Sequence, residues 1–193
     1  KHNLPVIEDA AQSLGSTHHG KRSGGLGTIG GSSFFPSKPL GCYGDGGAVF
    51  TDDPALAQLM KQIRNHGQAQ KHHHPVLGIN GRLDTLQAAI LLAKLEVFSQ
   101  EIAQRQAVAE RYTAALSNPP LTTPTVAPEN TSVWAQFTVL SNDRDALRER
   151  LQAEGIPSVS YYAAPLHLQP VFSGLGHQAG DFPMAEQVAA EAL

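Results

Sequence analysis

The chain carries a single cysteine, Cys42, in 193 residues, so no internal disulfide framework is available and a reducing cytoplasm fits the composition. Beside Gly41 that cysteine reads as a small apolar filler. No apolar run approaches the length of a bilayer-spanning helix, and no signal peptide opens the chain. An excess of positive charge is also missing. With 14 basic and 17 acidic residues the net charge is -3, which offers no electrostatic footprint for nucleic acid or an anionic membrane. What is present is enough apolar content, 41%, to bury a core as one large domain or two small ones.

The sequence opens on Lys1-His2-Asn3 and stops inside the helical stretch 184–193, so both ends read as cut from a longer protein. Residues 4–8 predict a short buried strand ending in the acids Glu8 and Asp9. A Gly, Ser, His and Lys loop follows over 15–31, then strands at 31–35 and 47–51 joined by a glycine-rich turn. Asp52-Asp53-Pro54 is a favoured helix start, and that helix runs to His66-Gly67. After a polar loop over 68–81, Leu83, Leu86, Ile90, Ala93 and Val97 recur at helical spacing, predicting a helix to about Leu116. Residues 119–130 are proline-rich and read as a linker. A strand at 133–140, a helix at 143–154 with Leu147 and Leu151 on its core face, and a strand at 157–161 complete the pattern. The organisation is a larger α/β unit, 1–118, with a smaller α+β unit, 119–193.

Two motifs are set aside. Gly25-Leu26-Gly27-Thr28-Ile29-Gly30 matches the dinucleotide pattern G-x-G-x-x-G, but polar loop residues precede it and a β-like Ser-Ser-Phe-Phe follows. The mechanism of that motif needs a strand before it and a helix starting within it. Neighbouring histidines in His18-His19 and His72-His73-His74 cannot all face one ion, and no carboxylate or cysteine stands at ligand spacing, so no metal site is read. His66, at a helix end beside Gly67, either caps carbonyls or faces a cleft.

Lys38 lies in Ser32-Ser33-Phe34-Phe35-Pro36-Ser37-Lys38-Pro39-Leu40-Gly41, among apolar and small residues without a nearby carboxylate. Desolvation in such a setting disfavours the ammonium form and yields an amine able to attack a carbonyl. A lysine snorkelling from a strand end is the competing account. A Schiff-base lysine serving pyridoxal phosphate needs an acid for the pyridine nitrogen and groups for the phosphate. Asp9 at a strand end offers the acid, and Ser33 offers a hydroxyl five residues before Lys38. Taken singly, Asp9 is equally a cap for Ala10-Ala11-Gln12, and Ser33 an ordinary strand serine.

Together, and in order, Glu8-Asp9-Ala10-Ala11-Gln12-Ser13, the run 33–41, Gly44-Asp45-Gly46-Gly47-Ala48, Arg64-Asn65-His66-Gly67 and Gly78-Ile79-Asn80-Gly81-Arg82-Leu83-Asp84 resemble the sugar-nucleotide aminotransferases of the DegT/DnrJ/EryC1/StrS family. The resemblance implies a fold-type I pyridoxal phosphate transferase: part of the large mixed-sheet domain followed by a small C-terminal α+β domain. It implies that Lys38 bonds covalently to the cofactor and shuttles a proton. Asp9 would pair with the pyridine nitrogen, Gln12 lie near the ring hydroxyl and Ser33 bind the phosphate. Asn80 would reach the phosphate of a neighbouring subunit, making the enzyme a homodimer with shared sites, and Arg82 would face the partner's substrate.

Tyr161, Tyr162 and His167 correspond to small-domain contacts with the sugar nucleotide, although packing at a strand end accounts equally well for the tyrosines. The implied reaction moves an amino group from L-glutamate to a keto-sugar nucleotide, in surface-polysaccharide or glycan precursor synthesis. Lysine at position 38, where some members carry histidine, favours transamination over dehydration. The stretch 34–48 is similar to the branch that aminates C3 of a UDP-linked 3-oxo-glucuronate sugar. The family's N-terminal portion has no counterpart here, so weak cofactor retention and little activity are expected of these residues alone. An inactive fragment or dimerisation module, and a pyridoxal phosphate lyase or sugar dehydratase, are the rival readings.

Overall fold

The computed structural model describes residues 2–116 and 121–193. In chain order the elements are β1 (Ile7–Asp9), β2 (Thr17–His18), β3 (Lys21–Arg22), β4 (Ile29–Ser33), β5 (Gly47–Phe50), α1 (Pro54–Arg64) and α2 (Thr85–Ala115). They continue with β6 (Leu121–Thr122), β7 (Asn130–Thr131), β8 (Leu140–Ser141), α3 (Arg144–Ala153), two 3-10 turns at Leu166–Leu168 and Pro170–Leu175, and α4 (Pro183–Glu191). The chain divides into two units. The first holds Lys1–Val108 and Val126–Ala135, the second Ala109–Thr125 and Gln136–Leu193. The boundary expected at 118/119 and the first residues of the expected linker lie outside the described residues.

The first unit is built on a mixed sheet of order β1-β4-β5. β1 runs parallel to β4, with Ile7 opposite Ile29 and Asp9 opposite Gly31. β5 returns antiparallel, with Ser33 opposite Gly47. Because β1 and β4 are parallel, both deliver their C-terminal ends to the same edge of the sheet. The strand expected at 4–8 is shorter and displaced, and it is not buried: Ile7 is 82% exposed, with Leu4 and Val6 also in solvent. β1 is an edge strand hydrogen-bonded only to β4 among the described residues.

Behind the sheet's C-terminal edge lies a cluster of Phe34, Leu40, Cys42 and Leu91, with Leu14, Ala48, Leu83 and Phe98 packed on it. Cys42 is wholly buried there, and its thiol donates to the carbonyls of Phe34 (3.0 Å) and Gly44 (3.1 Å). α2 contributes Leu91 and Phe98, seven residues apart on one face. The stripe marked by Leu86, Ala93 and Val97 instead faces solvent, with Leu86 75% exposed. Apolar residues occur on several sides of this helix, so its periodicity forecasts a helix without choosing the buried face.

α1 follows its local signal. Asp53 caps it, Oδ1 accepting from the N–H groups of Ala55 (2.8 Å) and Leu56 (3.2 Å), with Pro54 in the first turn. A small sheet of order β3-β2-β7 also belongs to this unit.

In the second unit β6 pairs with β8, and Val139 and Leu193 exchange backbone hydrogen bonds at 2.9 and 3.0 Å. α3 forms as expected, with Leu147 and Leu151 half-buried. The strands expected at 133–140 and 157–161 do not form; the first leaves only the short β8, Leu140–Ser141, beside the Val139–Leu193 pair. Trp134 has φ +50°, which interrupts an extended run, and Pro157 lacks a donor for a ladder. Ser160 is held by its side chain, donating to the Ala192 carbonyl at 2.9 Å. Among the described residues no helix is long and apolar enough to cross a membrane.

Candidate active site

Glu8 and Asp9 are consecutive on β1, so their side chains leave opposite faces of the sheet. Glu8 is committed to the fold. Its carboxylate accepts from the N–H of Gly24 (2.7 Å) and of Leu26 (2.8 Å) and from the Ser23 hydroxyl (2.9 Å). Desolvation is the largest single influence and raises its pKa, but the hydrogen bonds from Gly24, Leu26, Ser23 and Gly27 together outweigh it and leave the pKa lowered. The G-x-G-x-x-G run therefore wraps an internal carboxylate with its backbone donors, in the manner of an anion-binding nest. No helix follows; Ile29 and Gly30 begin β4, and a Cβ on Gly30 would run into the backbone of Gly24.

Asp9 ends β1, and its Oδ1 accepts from the Ala11 N–H at 3.0 Å. It is exposed in this chain, not held in a dry site as the strand pattern suggested, because β1 is a sheet edge. Gln12 lies exposed in the turn just beyond. Ser33 closes β4, where its Oγ accepts from the Phe35 N–H at 3.2 Å; among the described residues nothing accepts its hydroxyl hydrogen. Lys38 follows in a bend whose backbone N–H donates to the Phe35 carbonyl at 2.8 Å. Its side chain is half-buried and has no hydrogen-bond or ion-pair partner among the described residues. The parallel pairing puts Asp9 and Ser33 at the carboxyl ends of two neighbouring strands, the usual place for a ligand in an open α/β sheet, with Gln12 three and Lys38 five residues farther along the chain.

Asn80 and Arg82 stand on the return of the 66–81 loop. Asn80 bridges to Asn65, and the backbone is tied by His66 N–H to Ile79 O (2.9 Å) and Gly81 N–H to Arg64 O (2.9 Å). Arg82 Nε donates to Asn80 Oδ1 at 3.2 Å, and both residues are exposed. His66 is exposed, and its carbonyl accepts from His74 Nδ1 at 2.9 Å. No cluster of His, Cys, Asp or Glu among the described residues is disposed to hold a metal. A cleft of about 800 Å³ opens between β5 and α1, lined by Phe34, Val49, Phe50, Met60 and Ile79 among others; Asp9, Ser33 and Lys38 do not line it.

Tyr161, Tyr162 and His167 belong to the second unit. The two tyrosine rings are exposed, with centroids 6.5 Å apart. His167 is nearly buried, its Nε2 3.0 Å from Glu186 Oε1 and its ring against Phe182.

Three side chains that tie down the backbone around these residues were given no such role from the sequence: Glu8, Gln87 and Lys94. For Glu8 a signal exists, since adjacent acids on a strand must face opposite ways and only one of them can serve a common ligand. Gln87 and Lys94 act on residues more than forty positions away, which no local pattern reports.

The sequence matches the DegT/DnrJ/EryC1/StrS aminotransferase family along residues 1–193. The chain belongs to that family. A Pseudomonas aeruginosa member, UDP-2-acetamido-2-deoxy-3-oxo-D-glucuronate aminotransferase, is 48% identical over all of this chain and 53% of its own length. A Streptomyces venezuelae member, dTDP-3-amino-3,4,6-trideoxy-alpha-D-glucose transaminase, is 41% identical over all of this chain and 51% of its own. The structure of S. venezuelae DesV in complex with a ketimine intermediate matches with a TM-score of 0.94 at 41% identity, covering 99% of this chain and 52% of that one. A family aminotransferase from Brucella abortus matches with a TM-score of 0.91 at 43% identity, covering 98% and 51%. The chain spans about half the length of these DegT/DnrJ/EryC1/StrS relatives.

Proposed function

We propose that this chain forms the lysine-bearing part of a pyridoxal phosphate aminotransferase that moves an amino group from L-glutamate to a keto-sugar nucleotide, with a UDP-linked 3-oxo-glucuronate-type sugar as acceptor. The observation that carries the reading is that Asp9 and Ser33 close the two parallel strands β1 and β4, with an unpaired, half-buried Lys38 five residues beyond Ser33. The relative from P. aeruginosa, at 48% identity, supports the choice of sugar.

The donor set suits the cofactor: an amine for a carbonyl, a carboxylate for a basic ring nitrogen, and a hydroxyl with a free hydrogen for a phosphate. When bound, pyridoxal phosphate supplies an electron sink that labilises the proton next to a substrate nitrogen. Lys38 holds the cofactor and, once displaced, carries that proton on Nζ. Asp9 keeps the ring nitrogen protonated, Gln12 orients the ring, and Ser33 donates to the phosphate. In a homodimer Asn80 reaches the neighbouring subunit's phosphate and Arg82 the neighbouring substrate. Leu86, Leu92, Leu95 and Val97 are exposed on more than one side of α2, and so much bared apolar surface supports association with a protein partner. Tyr161, Tyr162 and His167 contact the sugar nucleotide from a small C-terminal α+β domain at 119–193, the large domain being 1–118, and the enzyme works in the cytoplasm.

Borohydride reduction of the protein mixed with pyridoxal phosphate, followed by peptide mapping, tests the assignment. A reduced adduct on Lys38 is expected; an adduct confined to other lysines would sink it. A panel of keto-sugar nucleotides with glutamate then identifies the acceptor.

A further inference from the structure

The segment after Lys38 turns sharply, and it is held from one side. Cys42 N–H donates to Phe34 O at 2.8 Å, and Phe34 N–H to Gly46 O at 2.7 Å, closing the base of the 34–46 loop. Gly41 is buried at the bend, where a Cβ would meet Pro36 O at 2.5 Å and Phe35 O at 2.8 Å. A buried backbone carbonyl needs a partner. That of Gly41 receives Lys94 Nζ at 2.6 Å, and the same ammonium lies 5.2 Å from the Tyr43 ring centroid. Two residues farther along the chain, Tyr43 N–H donates to Gln87 Oε1 at 2.8 Å. Gln87 and Lys94 are seven residues apart, two turns on one face of α2, with Leu91 between them in the core cluster. Lys94 is half-buried and meets no carboxylate among the described residues.

We propose that Gln87 and Lys94 are positioning residues: they clamp the Gly41–Tyr43 backbone to α2 and thereby fix where the Lys38 amine stands. The inference rests on the reading of Lys38 as the amine that takes the cofactor's carbonyl. Only Pro39 and Leu40 stand between Lys38 and Gly41, whose carbonyl is clamped, so the clamp sets the exit direction of the chain from the lysine. A half-buried ammonium spent on a backbone carbonyl adds little net stability, since its desolvation opposes the gain. Its effect is geometric.

The test compares the unsubstituted protein, in its full native length, with Lys94→Met, Lys94→Arg and Gln87→Leu. Borohydride trapping with pyridoxal phosphate is quantified at Lys38 relative to the exposed Lys21 and Lys61 of the same sample. Hydrogen exchange of the 41–46 amides is measured without cofactor. Lys94→Met should lower the Lys38-to-reference ratio roughly ten- to a hundredfold, the scale expected for an ångström of misplacement, and speed loop exchange. Lys94→Arg, which keeps a donor and a planar group for Tyr43, should restore most of the ratio. Gln87→Leu should shift it in the same direction and serves if Lys94→Met does not fold. Equal ratios in all four proteins, with trapping on Lys38, overturn the clamp alone. Trapping of the unsubstituted protein only at other lysines overturns the Lys38 assignment and the clamp with it.

Discussion

Glu8 receives the Gly24 N–H at 2.7 Å, and through that contact a carboxylate on β1 fixes the glycine-rich loop that precedes β4. The same acid pair leaves Asp9 pointing to the other face, with one oxygen on the Ala11 N–H. Of two neighbouring acids one is thus spent on the fold, and the other faces away from it, where the proposed site needs a carboxylate.

Glu8→Gln should reveal the first duty through pH. The folded pKa of Glu8 lies below its ordinary 4.5. Its stabilising contribution is thus complete above that value and is lost as the pH falls through the lower folded one. Urea midpoints should show the variant less stable by roughly 1 kcal/mol at neutral pH, a modest figure because the carboxylate is partly solvated. The difference should vanish on acidification. Parallel pH curves for the two proteins would contradict it.

Asp9→Asn keeps an oxygen for Ala11 while removing the charge. Retention of pyridoxal phosphate, followed by visible absorbance during dialysis, should fall roughly tenfold or more, the scale of a charged hydrogen bond. Unfolding midpoints should barely move. Unchanged retention would detach Asp9 from the cofactor.

Gly41→Ala introduces a methyl against two backbone carbonyls that no rotamer change can relieve. Overpacking of this kind costs about 1–3 kcal/mol. Denaturation should register that loss, and Lys38 trapping should weaken in parallel. A variant as stable as its parent would mean that the bend relaxes freely.

Glu186 gathers the second unit's C-terminal segment, accepting from Gly180 N–H at 2.8 Å and His167 Nε2 at 3.0 Å. The Gly180 hydrogen bond is the largest cause of its lowered pKa, with His167 and Phe182 adding against desolvation. Its contribution is therefore present above its ordinary 4.5 and disappears as the pH falls through the lower folded value. The Gly180 amide resonance should titrate in that acidic window, and in Glu186→Ala it should not. A resonance that titrates alike in both would remove Glu186 from that role.

How much of this was readable in advance depended on the range of the interaction. α1 was legible because Asp53 and Pro54 act within one helical turn. The acids and Lys38 were legible as a pattern, and the β4 and β5 strands lay within two residues of expectation. The expected strand at 133–140 failed for a tertiary reason. Val133 N–H is taken by Ser16 Oγ at 3.1 Å and Trp134 N–H by Ser132 Oγ at 3.1 Å, so side chains hold what a ladder would have held. β1 was read as buried because apolar strand residues favour burial, and its edge position leaves them in solvent instead.

Cys42 is the chain's sole thiol, with no exposed surface, in the wall directly behind the lysine-bearing loop. A thiol reagent can reach it only when that wall opens, so the rate of its modification is a built-in clock for local breathing beneath the site. Within these residues no engineered label is needed: Cys42 itself reports how often the ground under Lys38 gives way.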